Sequence, residues 1–204
     1  MSSQFIEYYK KLDQGLFALI NQDWSFPLGD FYFPAITDFH QSPTFLYFLF
    51  PILLVLIVYK FRMRGVKFLV TLAVALILTD MVCFRVIKHM VQRPRPAHAG
   101  IHVILRVEDS GGTSFPSSHA ANIFAAATVT SYFFPVTSLL FFLYAATVAY
   151  SRVYVGVHYP SDVLIGALVG FLISYMVLYI VKGFFMPKKE SISLPKEPKF
   201  RYRG

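Results

Sequence analysis

The chain is poor in charge and almost free of cysteine. Charged residues make up 15% of its 204 residues, only 11 residues are acidic, and Cys83 is the one cysteine. A single cysteine excludes an internal disulfide and a metal site built from several thiolates. The acidic residues do not cluster as the oxygen ligands of a divalent cation would. The sequence therefore predicts a protein with no disulfide framework and no metal cofactor.

Apolar residues dominate instead, at 56% of the chain, with 22 Phe and 13 Tyr. This is more apolar surface than a water-soluble fold of this length can bury, so we expect the lipid bilayer to be the solvent. Five largely apolar segments are candidate spans: Thr44–Tyr59, Phe68–Ile87, Ala120–Phe134, Val136–Tyr154 and Val163–Val181. We predict an all-α fold, an integral membrane bundle of five transmembrane helices. A sixth span near the N-terminus has weaker support.

The composition divides the chain into three parts. Residues 1–42 combine five acids with apolar residues that suit one helix face, which predicts an interfacial amphipathic helix anchored by Trp24. Residues 43–185 form the transmembrane domain, and residues 186–204 form a basic tail predicted to be disordered. Eleven of the 19 Lys and Arg residues follow the first or the fifth span, which puts the tail in the cytoplasm. The net charge of +8 is therefore not a nucleic-acid patch.

Three polar clusters fall at the outer ends of the predicted spans. They read KHMVQRPRP at residues 88–96, PSSH at residues 116–119 and SRVYVGVHYPSD at residues 151–162. Because successive spans alternate in direction, all three clusters reach the same, outer face of the membrane. The sequence therefore predicts one site at that face.

The cations of these clusters favour an anion site. Lys88, Arg95 and Arg152 would repel one another at a single point unless an anion lay among them, and the Arg fork matches phosphate oxygens. The alternative is that each positive side chain extends toward the lipid headgroups. We assign Arg93 and Arg106 to that alternative, because they are less constrained.

The second cluster marks the start of a helix. The first backbone N–H groups of a helix lack internal partners and, together with the helix dipole, bind anions. Ser117 is a capping residue whose hydroxyl can serve both the cap and a bound phosphate. The next residue, Ser118, offers its backbone N–H.

The two histidines of the clusters differ in their surroundings. His158 and Asp162 are four residues apart, and Pro160 or Ser161 begins the next helix, so the carboxylate can reach Nδ1–H of the imidazole. That contact would leave Nε2 of His158 free as a nucleophile. His119 has no adjacent acid in the sequence, and we expect it to donate a proton to a leaving oxygen.

Together the clusters resemble the three-part signature of the type 2 phosphatidic acid phosphatase superfamily. The matching residues are Lys88-(six residues)-Arg95-Pro96, Pro116-Ser117-Ser118-His119 and Ser151-Arg152-(five residues)-His158-(three residues)-Asp162. Every internal spacing is kept. The one departure is Ser118, where the family usually has Gly, and this change affects how closely the backbone can approach a phosphate.

The resemblance implies a role for each matching residue. His158 attacks phosphorus and forms a phosphohistidine, Asp162 orients His158, and His119 protonates the departing lipid oxygen. The residues that hold the phosphoryl oxygens are Lys88, Arg95, Ser117, Ser118 and Arg152. The family needs no metal, because the fixed cations neutralise the charge of the phosphoryl group.

A site at headgroup depth favours a lipid phosphate over a soluble sugar phosphate. The compact chain resembles the small bacterial members, which implies the inner membrane, a periplasmic site and undecaprenyl diphosphate as the first expected substrate. Phosphatidylglycerophosphate, phosphatidate and the phosphates of lipid A are alternatives. A transporter that binds an anion without hydrolysis, and a haloperoxidase, are alternatives of other classes. The expected partners are the lipid phosphate and membrane lipids, with no nucleic acid, and the oligomeric state stays open.

Two features inside the spans have structural interpretations. Gly166 and Gly170 form a GxxxG pattern, which predicts a helix-packing face. Asp80 is costly inside a span unless it is paired or hydrated, and it either supports Arg85 or serves the site.

Overall fold

The computed structural model of the protein describes residues 3–109 and 111–185. The all-α prediction is confirmed, since the described residues form helices and loops without a β-strand. The basic tail predicted at residues 186–204 lies outside the described residues. The α-helices are α1 (Ser3–Ala18), α2 (Pro27–Thr37), α3 (Phe50–Phe61), α4 (Met63–Met81), α5 (Lys88–Met90), α6 (Ser118–Phe133), α7 (Ser138–Tyr154) and α8 (Pro160–Phe185).

Short π- and 3-10 helices extend or connect several of these elements. The π-helical turn Val82–Ile87 joins α4 to α5, so that Met63–Met90 is one helical segment of 28 residues. A π-helical turn is often found at functional sites, and this one leads directly into Lys88. The other short elements are Leu19–Asp23, Phe39–Gln41, Phe45–Leu49, Pro96–His98 and Pro135–Thr137.

Helices occupy all five predicted spans. Within the described part of the chain, three segments are long and apolar enough to cross a membrane, namely Met63–Met90, Pro135–Tyr154 and Pro160–Gly183. The other two spans correspond to the shorter apolar helix Phe45–Phe61 and to the 16-residue helix α6. Large apolar side chains face outward along these helices, as lipid-exposed surfaces require.

The connection between α3 and α4 differs from the sequence prediction. We expected a basic loop over residues 60–67, but the two helices are joined by Arg62 alone, which adopts a φ of 49°. Arg64 and Lys67 already belong to α4. The expectation was wrong because long basic side chains can reach the headgroups from the end of a helix, so their charges do not mark a loop.

Helix α6 lies at the centre and packs against α4, α7 and α8. The contact with α8 is closest at Gly166 and Gly170. A Cβ atom at these glycines would overlap the backbone oxygens of Ser117 and Ala121, respectively. The packing role predicted for the glycine pair is therefore confirmed, and it sets the distance between the starts of α6 and α8.

The N-terminal helix α1 also packs on this bundle. Phe17, an apolar residue of the helix that we expected to be interfacial, is 1% exposed and its ring centroid lies 5.6 Å from that of Tyr159. Asn21, just beyond α1, is buried and donates to the backbone oxygens of Ile104 at 2.9 Å and Tyr154 at 2.8 Å. One side of the N-terminal region is thus fixed to the loops that carry the predicted site.

Candidate active site

His158 and Asp162 meet at the start of α8. The helix begins at Pro160, so Asp162 lies in its first turn as expected. Oδ2 of Asp162 lies 3.6 Å from Nδ1 of His158 and accepts a hydrogen bond of 2.9 Å from the backbone N–H of Tyr159. At 3.6 Å the carboxylate and the imidazole are in electrostatic contact, and a hydrogen bond requires a closer approach.

The surroundings of His158 keep its imidazole neutral. The side chain is 3% exposed, and burial lowers its pKa to about 4. The positive charges of Arg152 and Arg95 act in the same direction, whereas Asp162 opposes them. A neutral imidazole at physiological pH is the form that can attack an electrophile.

The start of α6 lies directly against the start of α8. Ser117 is the N-cap residue, and its Oγ accepts a hydrogen bond of 3.4 Å from the backbone N–H of Ala120. The backbone N–H of Ser117 donates to the backbone oxygen of Asp162 at 2.9 Å. The amide-rich end of α6, which includes Ser118, is therefore held next to the His158–Asp162 pair.

The three predicted phosphate-binding cations lie in the same region. Arg95 and Arg152 are 6% and 5% exposed, and the charges of both reach His158. Lys88 is half-buried and lines, with Arg95, a cavity of about 560 Å³. Burial lowers the pKa of Arg95, and Asp109, whose Oδ1 lies 3.6 Å from Nε, offsets this effect only in part.

Several buried donors in this region have no acceptor among the described residues. They are Nη1 of Arg95, Nε of Arg152 and the hydroxyl of Ser118. A buried cation with unsatisfied donors is costly, and an oxyanion would supply both the charge and the acceptors. In residues 3–109 and 111–185 there is no group of three or more His, Cys, Asp or Glu side chains placed to hold a metal ion.

His119 has an acid beside it that is distant in the sequence. Nε2 of His119 lies 3.4 Å from Oδ1 of Asp38, which also accepts a hydrogen bond of 3.1 Å from Nη1 of Arg152. The same Nη1 donates to Oγ1 of Thr37 at 2.8 Å. Bonding to His119 and the charge of Arg152 hold the pKa of Asp38 below its usual range.

Arg93 was also assigned wrongly as a headgroup-facing cation. Its Nη1 donates to Oδ1 of Asp162 at 2.8 Å, and its Nη2 donates to Oδ2 of Asp13 at 2.6 Å. The sequence could have indicated a role in the site for Arg93, because this residue stands two positions before Arg95 in the same cluster. The same assignment was wrong for Arg106, whose side chain is buried, pairs with Asp30 at 2.5 Å and donates to the backbone oxygens of Asn21 and Tyr154.

Asp80 and Arg85 line a second cavity, of about 500 Å³, together with Asn122 of α6. Asp80 and Arg85 thus share the lining of one cavity. His119 lies three residues before Asn122 on α6, so this cavity is close to the start of that helix.

Comparison with known proteins agrees with this architecture. Residues 64–186 match the PAP2 superfamily model. A lipid A 4'-phosphatase of Bacteroides thetaiotaomicron is 28% identical over 172 residues, which cover 80% of this chain and 74% of that protein. A decaprenylphosphoryl-5-phosphoribose phosphatase of Mycobacterium tuberculosis is 42% identical over 81 residues, or 39% of this chain and 43% of that protein.

Two solved structures share the fold. The crystal structure of Aquifex aeolicus LpxE has a TM-score of 0.63 at 32% identity and covers 82% of this chain and 95% of that chain. A transmembrane PAP2-type phosphatidylglycerolphosphate phosphatase from Bacillus subtilis has a TM-score of 0.65 at 22% identity, with coverages of 86% and 87%. The second similarity supports the fold alone.

The helical bundle and its polar face are those of a bacterial membrane lipid phosphatase. The chain belongs to the PAP2 superfamily, which confirms the resemblance drawn from the three clusters. The matched residues include all three clusters, whereas Asp13 and Asp38 precede them.

Proposed function

We propose that the protein hydrolyses a membrane lipid phosphate or diphosphate without a metal ion, through a phosphohistidine on His158. The observation that carries this proposal is the burial of a neutral imidazole between an acid and two guanidinium groups that have unsatisfied donors. A nucleophile next to an anion-binding cradle is the arrangement that phosphoryl transfer requires.

In the first step, Nε2 of neutral His158 attacks phosphorus. The new N–P bond forms as the bond between phosphorus and the lipid oxygen breaks. Asp162 orients the ring and stabilises the positive charge that develops on it. His119 donates its proton to the departing oxygen, so that the lipid leaves as an alcohol or, from a diphosphate, as a monophosphate.

In the second step, water hydrolyses the phosphohistidine. His119, now neutral, accepts a proton from the water as its oxygen attacks phosphorus. The N–P bond breaks, inorganic phosphate is released, and His158 returns to its neutral state. Both protonation states of His119 are therefore used once in each cycle.

The phosphoryl oxygens are held by fixed positive groups in this proposal. Arg95, Arg152 and Lys88 supply charge, and the start of α6 supplies Ser117 and the amide of Ser118. Preorganised cations and amides stabilise the charge of the transition state without reorganisation of solvent. A serine at position 118 can still offer the N–H that the family's glycine offers.

Two lipids are the leading candidates for the substrate. Similarity to the lipid A 4'-phosphatase extends over 80% of the chain and favours a phosphate of lipid A. Undecaprenyl diphosphate, the first expectation from the sequence, is supported by similarity to a phosphatase of a decaprenyl lipid, over 39% of the chain. Phosphatidylglycerophosphate and phosphatidate complete the set to be compared.

We further propose that the site faces the periplasm. The distribution of Lys and Arg puts the turn at Arg62 and the C-terminal tail in the cytoplasm, and the three polar clusters then lie on the other side. In this orientation the phosphate of an outer-leaflet lipid reaches the cradle at headgroup depth while its chains stay in the bilayer.

The proposal is tested with purified protein in detergent and an excess of chelator. We expect release of inorganic phosphate from at least one of the four lipids, and kcat/KM ranks the lipids. His158→Ala should abolish release, whereas His102→Ala, at an exposed histidine, should retain it. A transporter without hydrolytic activity would bind the lipid phosphate and release none, and turnover by the His158→Ala protein would exclude His158 as the nucleophile.

A further inference from the structure

Four polar side chains form a closed network between α1 and the start of α8. Arg93 bridges two carboxylates, with Nη2 on Asp13 at 2.6 Å and Nη1 on Asp162 at 2.8 Å. Ser161 completes the network, because its Oγ donates to Asp13 at 2.6 Å and accepts from Arg93 at 2.8 Å. The backbone N–H of Ser161 also donates to Asp13, at 3.0 Å.

The network is shielded from water. Asp13 and Asp162 are 4% and 0% exposed, and Arg93 is 20% exposed. The guanidinium of Arg93 also stacks on Tyr159, with Cζ 3.8 Å from the ring centroid. A buried charge is costly unless it is paired, so each member of this network depends on the others for its position.

We propose that Asp13 is a positioning residue, which acts through Arg93 to hold the carboxylate of Asp162 in place beside His158. Arg93 fixes Oδ1 of Asp162, and the backbone N–H of Tyr159 fixes Oδ2, the oxygen that faces the imidazole. This inference rests on the proposed function, in which Asp162 orients the nucleophile. Asp13 lies outside the matched family residues 64–186, so the network joins the N-terminal helix α1 to the part of the chain that the family shares.

Asp13 also changes the net charge of the network that surrounds Asp162. Arg93 and Asp162 alone would form a neutral pair, and the carboxylate would then stabilise a developing positive charge on His158 only weakly. With Asp13 the three groups carry one net negative charge, so the field of Asp162 at the imidazole is retained. Removal of the charge at residue 13 should therefore slow the chemical step more than it weakens substrate binding.

The test measures kcat, KM and thermal unfolding in detergent, with the best lipid of the substrate panel. We expect Asp13→Asn to lower kcat about 10- to 100-fold, as small misplacements of reacting groups do, with KM within about twofold. Glu7→Gln, at an exposed acid of the same helix whose carboxylate lies 3.1 Å from Nζ of Lys11, is the matched control and should behave as the parent protein.

A double-mutant cycle separates positioning from general destabilisation. In an Asp162→Asn background, Asp13→Asn should cause no further loss of kcat, because its effect passes through Asp162. If Asp13→Asn protein does not fold, Arg93→Lys keeps the charge while it removes the fork, and it should lower kcat with KM retained.

The outcomes distinguish the positioning role of Asp13 from the nucleophilic role of His158. A kcat of Asp13→Asn within twofold of the parent, or an equal loss in both backgrounds, overturns the positioning role while the nucleophile stands. Full activity of His158→Ala protein overturns the proposed function instead. A kcat loss confined to proteins that retain Asp162 supports both.

Discussion

Oδ1 of Asp38 lies 3.4 Å from Nε2 of His119, and the same oxygen accepts a hydrogen bond from Arg152. The acid of the second histidine therefore comes from the chain just after α2 and far from His119 in sequence. The carboxylate touches both the proposed proton donor and a proposed phosphate ligand, so it should influence proton transfer and anion binding in opposite ways.

We expect Asp38→Asn to lower kcat about three- to tenfold, because the protonated ring of His119 loses a partially exposed charged partner. The same change should lower the inhibition constant of inorganic phosphate, because Nη1 of Arg152 would no longer pair with a negatively charged carboxylate. Steady-state assays with added phosphate measure both effects. Asp23→Asn, at an acid of the preceding segment, is the control, and unchanged values for both quantities in Asp38→Asn would contradict the assignment.

The contact between α6 and α8 should tolerate no side chain at Gly170. A Cβ atom there would overlap the backbone oxygen of Ala121, so Gly170→Ala should destabilise the fold by about 1–3 kcal/mol. Because the same contact joins the starts of the two helices, activity should fall as well. Gly183→Ala is the matched control on α8, where a Cβ meets no atom within 4 Å. Equal unfolding temperatures for the two variants would be incompatible with this packing.

Burial of His158 should make the folded protein sensitive to acid. Its pKa is about 4 in the folded state against an ordinary value of 6.5, so the unfolded state binds more protons between these pH values. The free energy of unfolding therefore declines as pH falls from about 6.5 toward 4, by on the order of 3 kcal/mol at most. Above that range this group makes no pH-dependent contribution.

The measurement is thermal unfolding of the parent protein and of His158→Gln at several pH values between 4.5 and 7.5, chosen around the pKa values above. We expect the variant to lose this part of the acid sensitivity, and His102→Gln to keep it. If His158→Gln declined as steeply as the parent, another group would be responsible.

The membrane orientation can be tested by labelling with an impermeant thiol reagent in intact cells. Cys83 is buried and is replaced by Ala to give a background without reactive thiols. We expect Ala97→Cys, next to Arg95, to react, and Val136→Cys, between α6 and α7, to react only after the cells are opened. The reverse pattern would place the site in the cytoplasm.

The sequence predicted the parts of the site that depend on local spacing. His158 and Asp162 are four residues apart across the start of α8, and Ser117 caps the helix that carries His119, so short motifs were sufficient to place them. The five helices followed from apolar runs that few soluble folds could bury. In each case the residues that decide the structure are neighbours in the chain.

The supporting acids could not be predicted in this way. Asp13 meets Arg93 across 80 residues, and Asp38 meets Arg152 across 114 residues. Their positions depend on how α1 and α2 pack on the bundle, and local sequence patterns do not predict that packing. The charge balance of residues 1–42 indicated an outer location but gave no sign that two of the acids would turn inward.

The central claim is that His158 carries the phosphoryl group during turnover. It is tested most directly by rapid alkaline quench of the enzyme with substrate labelled in the scissile phosphate, followed by peptide mapping. We predict an acid-labile, alkali-stable adduct on the peptide that contains His158, formed within the first turnover and absent from His158→Ala protein. Normal turnover without any adduct on that peptide, sampled throughout the first turnover, would contradict the account.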